Sequence, residues 1–99
     1  ISLPTLSDGY SYSKFVVHQE GADTYLYISN SSQTLYIYNI TNATPTLVHQ
    51  FDYISNINDL TIDNGLLYIA GYYGVYIFDI QTQASQPKLI KKISLDYST

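Results

Sequence analysis

The sequence predicts an all-β protein built from two four-stranded antiparallel sheets, with essentially no α-helix. Three observations predict it. Short runs rich in Ile, Val, Leu and Tyr alternate with a period of two, the spacing at which successive side chains of a strand point to opposite faces. Turn-forming residues interrupt these runs about every eight to twelve positions. No segment of about twelve residues carries the apolar stripe, repeating every 3.6 residues, that a packed helix needs.

Eight strands follow in order. The first, Lys14 to Gln19, ends at Gly21-Ala22-Asp23, and the second, Tyr25 to Ser29, ends at Asn30-Ser31-Ser32. The third runs from Leu35 to Ile40. Pro45, which has no N–H to give to a ladder, sets the start of the fourth, Thr46 to Phe51. The fifth, Asn58 to Asp63, and the sixth, Leu66 to Ala70, flank Asp63-Asn64-Gly65, whose Asn and Gly accept the positive φ of a tight hairpin. The seventh, Val75 to Ile80, follows Gly71-Tyr72-Tyr73-Gly74, and the eighth, Lys88 to Ile93, follows Gln86-Pro87.

The two halves repeat one another. Tyr25-Leu26-Tyr27-Ile28-Ser29 matches Leu66-Leu67-Tyr68-Ile69-Ala70 at a displacement of 41 positions, and Leu35-Tyr36-Ile37-Tyr38-Asn39-Ile40 matches Val75-Tyr76-Ile77-Phe78-Asp79-Ile80 at 40. A longer second connection then sets Pro45-Thr46-Leu47-Val48 against Pro87-Lys88-Leu89-Ile90 at 42. A unit of about 40 to 45 residues with four short antiparallel strands has the size of one β-propeller blade. Leu67-Tyr68-Ile69-Ala70, a hairpin, Val75 to Ile80, a polar connection, Pro87 and Lys88-Leu89-Ile90 resemble the LVIVD type of propeller repeat. In that family an apolar third strand ends in Asp, then come a polar connection with Pro and a fourth strand; Asp79 and Pro87 match, and Asn39 departs from the pattern. The resemblance spans residues 14 to 95 and implies blade-like sheets of a β-propeller.

The expected organisation is a part-blade flank at 1–13, a first blade at 14–53, a second at 54–95 and a tail at 96–99. Propellers close with about 4 to 8 blades, and a free pair exposes apolar faces and strand edges. The chain is therefore expected to be a section of a larger propeller or a two-blade unit that associates with copies of itself, its partners being neighbouring blades of the same or other chains.

Composition narrows the function. Four lysines, no arginine and a net charge of -4 exclude a nucleic-acid surface, which needs clustered cations, and count against acidic membranes. No apolar run reaches the length of a membrane span, so no membrane insertion is expected. With no cysteine there is no disulfide, thiolate ligand or cysteine nucleophile, and only His18 and His49 offer imidazole nitrogens. No cofactor, metal site or catalytic residue is called for; no Ser lies in a G-x-S-x-G elbow, and Asp59 with Asp63 does not have the spacing of an EF-hand. Charged residues are 12% of the chain against a usual share of about 25%, so polarity rests on Ser, Thr, Asn, Gln and tyrosine hydroxyls.

Most of the 12 tyrosines are read as packing between sheets, with hydroxyls reaching carbonyls or water. Tyr72 and Tyr73, at a hairpin tip, are candidate ligand-stacking residues. Asn30, Asn39 and Asn42 each begin an N-x-S/T acceptor and are candidate sites of an N-linked glycan. The sum is an expectation of a non-catalytic extracellular or cell-surface scaffold for assembly or protein recognition. The alternatives are a glycan-binding module using the exposed tyrosines, and a piece of a propeller enzyme whose catalytic groups lie on other blades.

Overall fold

The computed structural model describes residues 12–30, 34–52, 54 and 57–94. They form eight strands: β1 Tyr12–Glu20, β2 Asp23–Asn30, β3 Leu35–Asn39, β4 Thr46–Phe51, β5 Asp59–Asp63, β6 Leu66–Gly71, β7 Gly74–Asp79 and β8 Lys88–Ser94. The strands make two antiparallel sheets in the orders β1-β2-β3-β4 and β5-β6-β7-β8. There is no helix among the described residues. The expected flank at 1–13 and tail at 96–99 fall mostly outside the described residues, as does residue 53 at the end of the first repeat.

Both sheets are up-and-down meanders because each connection is short, and the turns have the chemistry their geometry needs. Asn64 and Gly65 sit at φ 50° and 75°, the left-handed pair of a tight hairpin. Gly65 also has a packing reason: a Cβ there would lie 2.8 Å from the Cβ of Gln81. At the next hairpin, Gly71 pairs with Gly74 around Tyr72-Tyr73. A side chain on Gly74 would run into the Ile93 carbonyl of β8, so this glycine allows the outer strand to approach.

The repeat seen in the sequence is also a repeat of register. Val16 pairs with Tyr27 as Thr61 pairs with Tyr68, and Ile37 pairs with His49 as Ile77 pairs with Lys91. The register shifts between Ile37 and Tyr38 and, at the matching place, between Ile77 and Phe78, leaving Val48 and Ile90 as the extra residues of β4 and β8. The turn after the third strand also recurs. Asn39 Oδ1 accepts from the Thr41 amide at 2.9 Å, and Asp79 Oδ1 accepts from the Gln81 amide at 2.9 Å. Asn39 thus performs the turn-closing role of Asp79, which is the physical reason its departure from Asp leaves the turn intact.

The main core lies between the sheets. Tyr27, Leu35 and Ile37 of the first sheet and Leu67, Ile69 and Phe78 of the second are fully buried within one apolar cluster, joined by Ile54, Ile57, Ile80 and Ala84 from the connections. A smaller cluster, Leu26, Ile28 and Tyr38, lies on the opposite face of the first sheet.

Candidate functional site

The chemistry of this molecule is concentrated at the seam between its sheets. Strand alternation divides each sheet into two faces. The first sheet meets the second with Tyr25, Tyr27, Leu35 and Ile37, and the second answers with Leu60, Leu67, Ile69, Tyr76 and Phe78. In repeat register these are not matching faces. Tyr25, Tyr27, Leu35 and Ile37 correspond to Leu66, Tyr68, Val75 and Ile77, which point away from the seam, and Leu67, Ile69, Tyr76 and Phe78 correspond to Leu26, Ile28, Tyr36 and Tyr38, which also point away. The sheets therefore stack head to tail, one kind of face on the other. Strand backbones of the two sheets come within 8 Å (Cα–Cα) at β1 and β5, so the stack is tightest at the first strand of each sheet.

Polar bonds lock this apolar seam along one end. The connection from β7 to β8 crosses to the first sheet, where the Tyr27 hydroxyl donates to the Ala84 carbonyl at 2.7 Å and the Ala84 amide donates to Glu20 Oε2 at 3.2 Å. Tyr25 shares a hydrogen bond with Ser85 of the same connection. Burial and the Glu20 carboxylate both raise the Tyr27 hydroxyl well above its ordinary range, so it stays a donor. Tyr25 is raised in turn by burial, Asp23 and Glu20, and lowered by its bond with Ser85. Phe51 stacks on Phe78 across the seam at 5.0 Å between ring centroids.

The sequence-predicted residues are scattered. Tyr72 and Tyr73 are exposed at 50% and 57%, with rings edge to face at 4.8 Å and 87°, so they present two perpendicular surfaces and no shared flat platform. Asn42 is exposed, as a glycan acceptor must be. Asn30 is a correction: it ends β2 at 2% exposure with its Oδ1 accepting from the Thr34 amide at 3.1 Å, so an expected hairpin-tip amide is in fact enclosed. Asn39 is half-buried and holds the turn described above.

The titratable residues do not converge. His18 and Glu20 line an open cleft of about 530 Å³ with Gln19, Asn64, Gly65 and Gln81, and Glu20 is engaged by Ala84. His49, whose counterpart in the second repeat is Lys91, is half-buried with its ring 4.6 Å from that of Phe51. Asp59 and Asp63 share a face of β5 but stand four residues, or about 13 Å, apart, beyond the reach of one cation. Among the described residues no three His, Cys, Asp or Glu side chains group to hold a metal, and no helix is long and apolar enough to cross a membrane.

Sequence reading missed Glu20, Ala84 and Ser85. The one available signal was the connection after Asp79, two residues longer than that after Asn39. Comparison of the chain with protein-family models, curated proteins and solved structures gives no match.

Proposed function

We propose that the chain is a two-blade section of a β-propeller of the LVIVD kind, a non-catalytic scaffold for assembly or protein recognition in an extracellular or cell-surface setting. One observation carries the reading: the sheets stack with opposite faces and approach most closely at their first strands. That is the relation of adjacent propeller blades, whose innermost strands surround a common axis. A sandwich closed on itself would use both inner faces as one finished core and leave polar faces outside. Here the outer face of the second sheet keeps Leu66, Tyr68, Val75 and Ile77 half-exposed. The extracellular setting rests on the low charge of the chain and on the exposed acceptor Asn42.

A crystal structure of the native assembly tests the proposal. Sheets arranged around an axis, with β1 and β5 nearest to it, are the expected result. Two sheets whose outer faces are capped by loops or helices, with no axis, would overturn it.

A further inference from the structure

The sequence offers three acceptors for an N-linked glycan, and the fold treats them differently. Asn30 is 2% exposed at the end of β2, with its Oδ1 accepting from the Thr34 amide, so a sugar on it has no room. Asn39 is half-buried, and its Oδ1 closes the turn by accepting from the Thr41 amide at 2.9 Å. The hydroxyl that completes its acceptor is engaged as well: Thr41 Oγ1 accepts from the Thr24 amide at 2.9 Å and donates to Asp23 Oδ1 at 3.3 Å. Asn42 differs on each count. Residues 41–44 are all exposed, and the side chains of Asn42 and Thr44 make no hydrogen bond to any described residue.

A second, independent observation gives that exposure a use. Strands β4 and β8 each leave one edge unpaired at the end of their sheet. In the propeller arrangement they lie farthest from β1 and β5, on the rim, where no neighbouring blade covers them. Both edges expose leucine, Leu47 at 45% and Leu89 at 39%. A row of free N–H and C=O groups beside exposed apolar side chains invites strands of other molecules, and lysine is a common guard against them. β8 has three: Lys88 opposite Asp79, Lys91 opposite Ile77 and Lys92 opposite Tyr76. In the same register β4 sets Thr46 opposite Asn39, His49 opposite Ile37 and Gln50 opposite Tyr36, and it contains no lysine, arginine or carboxylate. The edge without a charged guard is the one that starts four residues after Asn42.

Given the extracellular setting proposed above, on which this inference rests, we propose that Asn42 is the glycan acceptor of this chain and that its glycan guards the β4 edge, as the lysines guard β8. The reaction forms a bond from Asn42 Nδ2 to the anomeric carbon of an activated sugar, a lipid-linked oligosaccharide diphosphate. The C–O bond to the phosphate breaks, the phosphate leaves with its electron pair, and Nδ2 gives up one proton. The product is a bulky, strongly hydrated group on an exposed turn. Six strand residues span about 20 Å, within the sweep of a branched oligosaccharide anchored at one end. An approaching strand is thus excluded at β4 by volume and hydration, where at β8 it is excluded by charge.

The test uses the full chain secreted from cultured animal cells behind a cleaved leader. Enzymatic release of the glycan in heavy-oxygen water turns a glycosylated Asn into a labelled Asp. Peptide mass mapping should find the label at Asn42 and at neither Asn30 nor Asn39. Light scattering over a concentration series then compares the glycosylated chain with Asn42→Gln. The variant should associate at a concentration at least about tenfold lower, the effect of a few strand-to-strand hydrogen bonds. Adding Thr46→Lys and Gln50→Lys to Asn42→Gln should restore the onset of the glycosylated chain. All three side chains are exposed, so the far-UV circular dichroism spectrum should not change.

A bare Asn42, or sugar on Asn30 or Asn39, overturns the assignment. An Asn42→Gln chain that associates no more readily than the glycosylated one, or that the added lysines do not rescue, overturns the guarding role. The leader supplies the compartment in this experiment, so these outcomes bear on Asn42 and not on the extracellular setting. That setting fails separately, where protein from its natural source is bare at an Asn42 that secreted protein glycosylates.

Discussion

Replacing Tyr27 with Phe removes one oxygen atom and tests whether the seam is locked by the connection that crosses it. The Tyr27 hydroxyl donates to the Ala84 carbonyl at 2.7 Å, and both residues are at 0% exposure, so water has no path to replace the lost donor. A buried hydrogen bond contributes about 1 kcal/mol net, and an acceptor left unsatisfied costs about 1–3 kcal/mol. The expected loss is thus about 1–2 kcal/mol, a large part of the roughly 5–15 kcal/mol that holds a domain of this size together. With a urea slope of about 1 kcal/mol per molar, the midpoint should fall by about 1–2 M. Urea titration followed by circular dichroism reads it. Tyr68→Phe is the matched control: Tyr68 holds the same place in the second repeat but is half-exposed, and its loss should stay within about 0.5 kcal/mol. Equal effects at the two positions, or a Tyr27→Phe midpoint unchanged from wild type, would refute the view that Ala84 locks the seam.

Alkali should act at the same place. The folded chain holds the Tyr27 proton above the ordinary value of 10.0, where the unfolded chain releases it. Stability is therefore intact below pH 10 and falls above it by about 1.4 kcal/mol per pH unit, with Tyr25 adding in the same direction; Tyr27→Phe should flatten a pH series of urea midpoints. Asp79 is lowered by its bonds from the Gln81 amide and the Thr82 hydroxyl, so its contribution is present above the ordinary carboxylate range and lost as pH falls through it. Asp79→Asn should melt with the wild type at neutral pH, as Asn39 already makes this turn in the first repeat, whereas Asp79→Ala should melt lower. Gly21→Ala, at φ 60° with open space around it, should cost about 1 kcal/mol, and Gly65→Ala more than that, since its Cβ also meets Gln81; chemical denaturation ranks the two.

The strands were legible because period-two alternation and turn residues act locally. Asn64-Gly65 forces a hairpin wherever it lies, and Pro45 and Pro87 start the fourth strand of each repeat whatever packs above them. The repeat was legible for the same reason. Which face of each strand would meet the other sheet was not, because Tyr25-Leu26-Tyr27-Ile28 is apolar on both faces and alternation cannot choose between them. Asn30 misled because an Asn-Ser-Ser stretch reads as an exposed tip, while pairing with residue 12 extends β2 through it and the Thr34 amide claims its side chain. The half-burial of His49 was not legible either, because its counterpart Lys91 is exposed. The second sheet, a partner nearly thirty residues away, supplies the Phe78 ring beside which Phe51 and then His49 settle.

The two repeats are alike in their strands and unlike in their connections, and this divides the work between them. Strands set which face can stack on which, since the same alternation and the same displaced residue in β4 and β8 recur. Connections decide whether a stack is also bolted. From Asp79 to Pro87 the chain is long enough to bring Ala84 over the first sheet, between Tyr27 and Glu20. From Asn39 to Pro45 it is two residues shorter and has no counterpart of Ala84. The internal seam therefore has apolar burial and buried polar bonds together. Apolar contact without directional bonds tolerates exchange of one partner for another, and buried hydrogen bonds do not. The seam within the chain is therefore held in one register by the bonds that Ala84 makes to Tyr27 and Glu20.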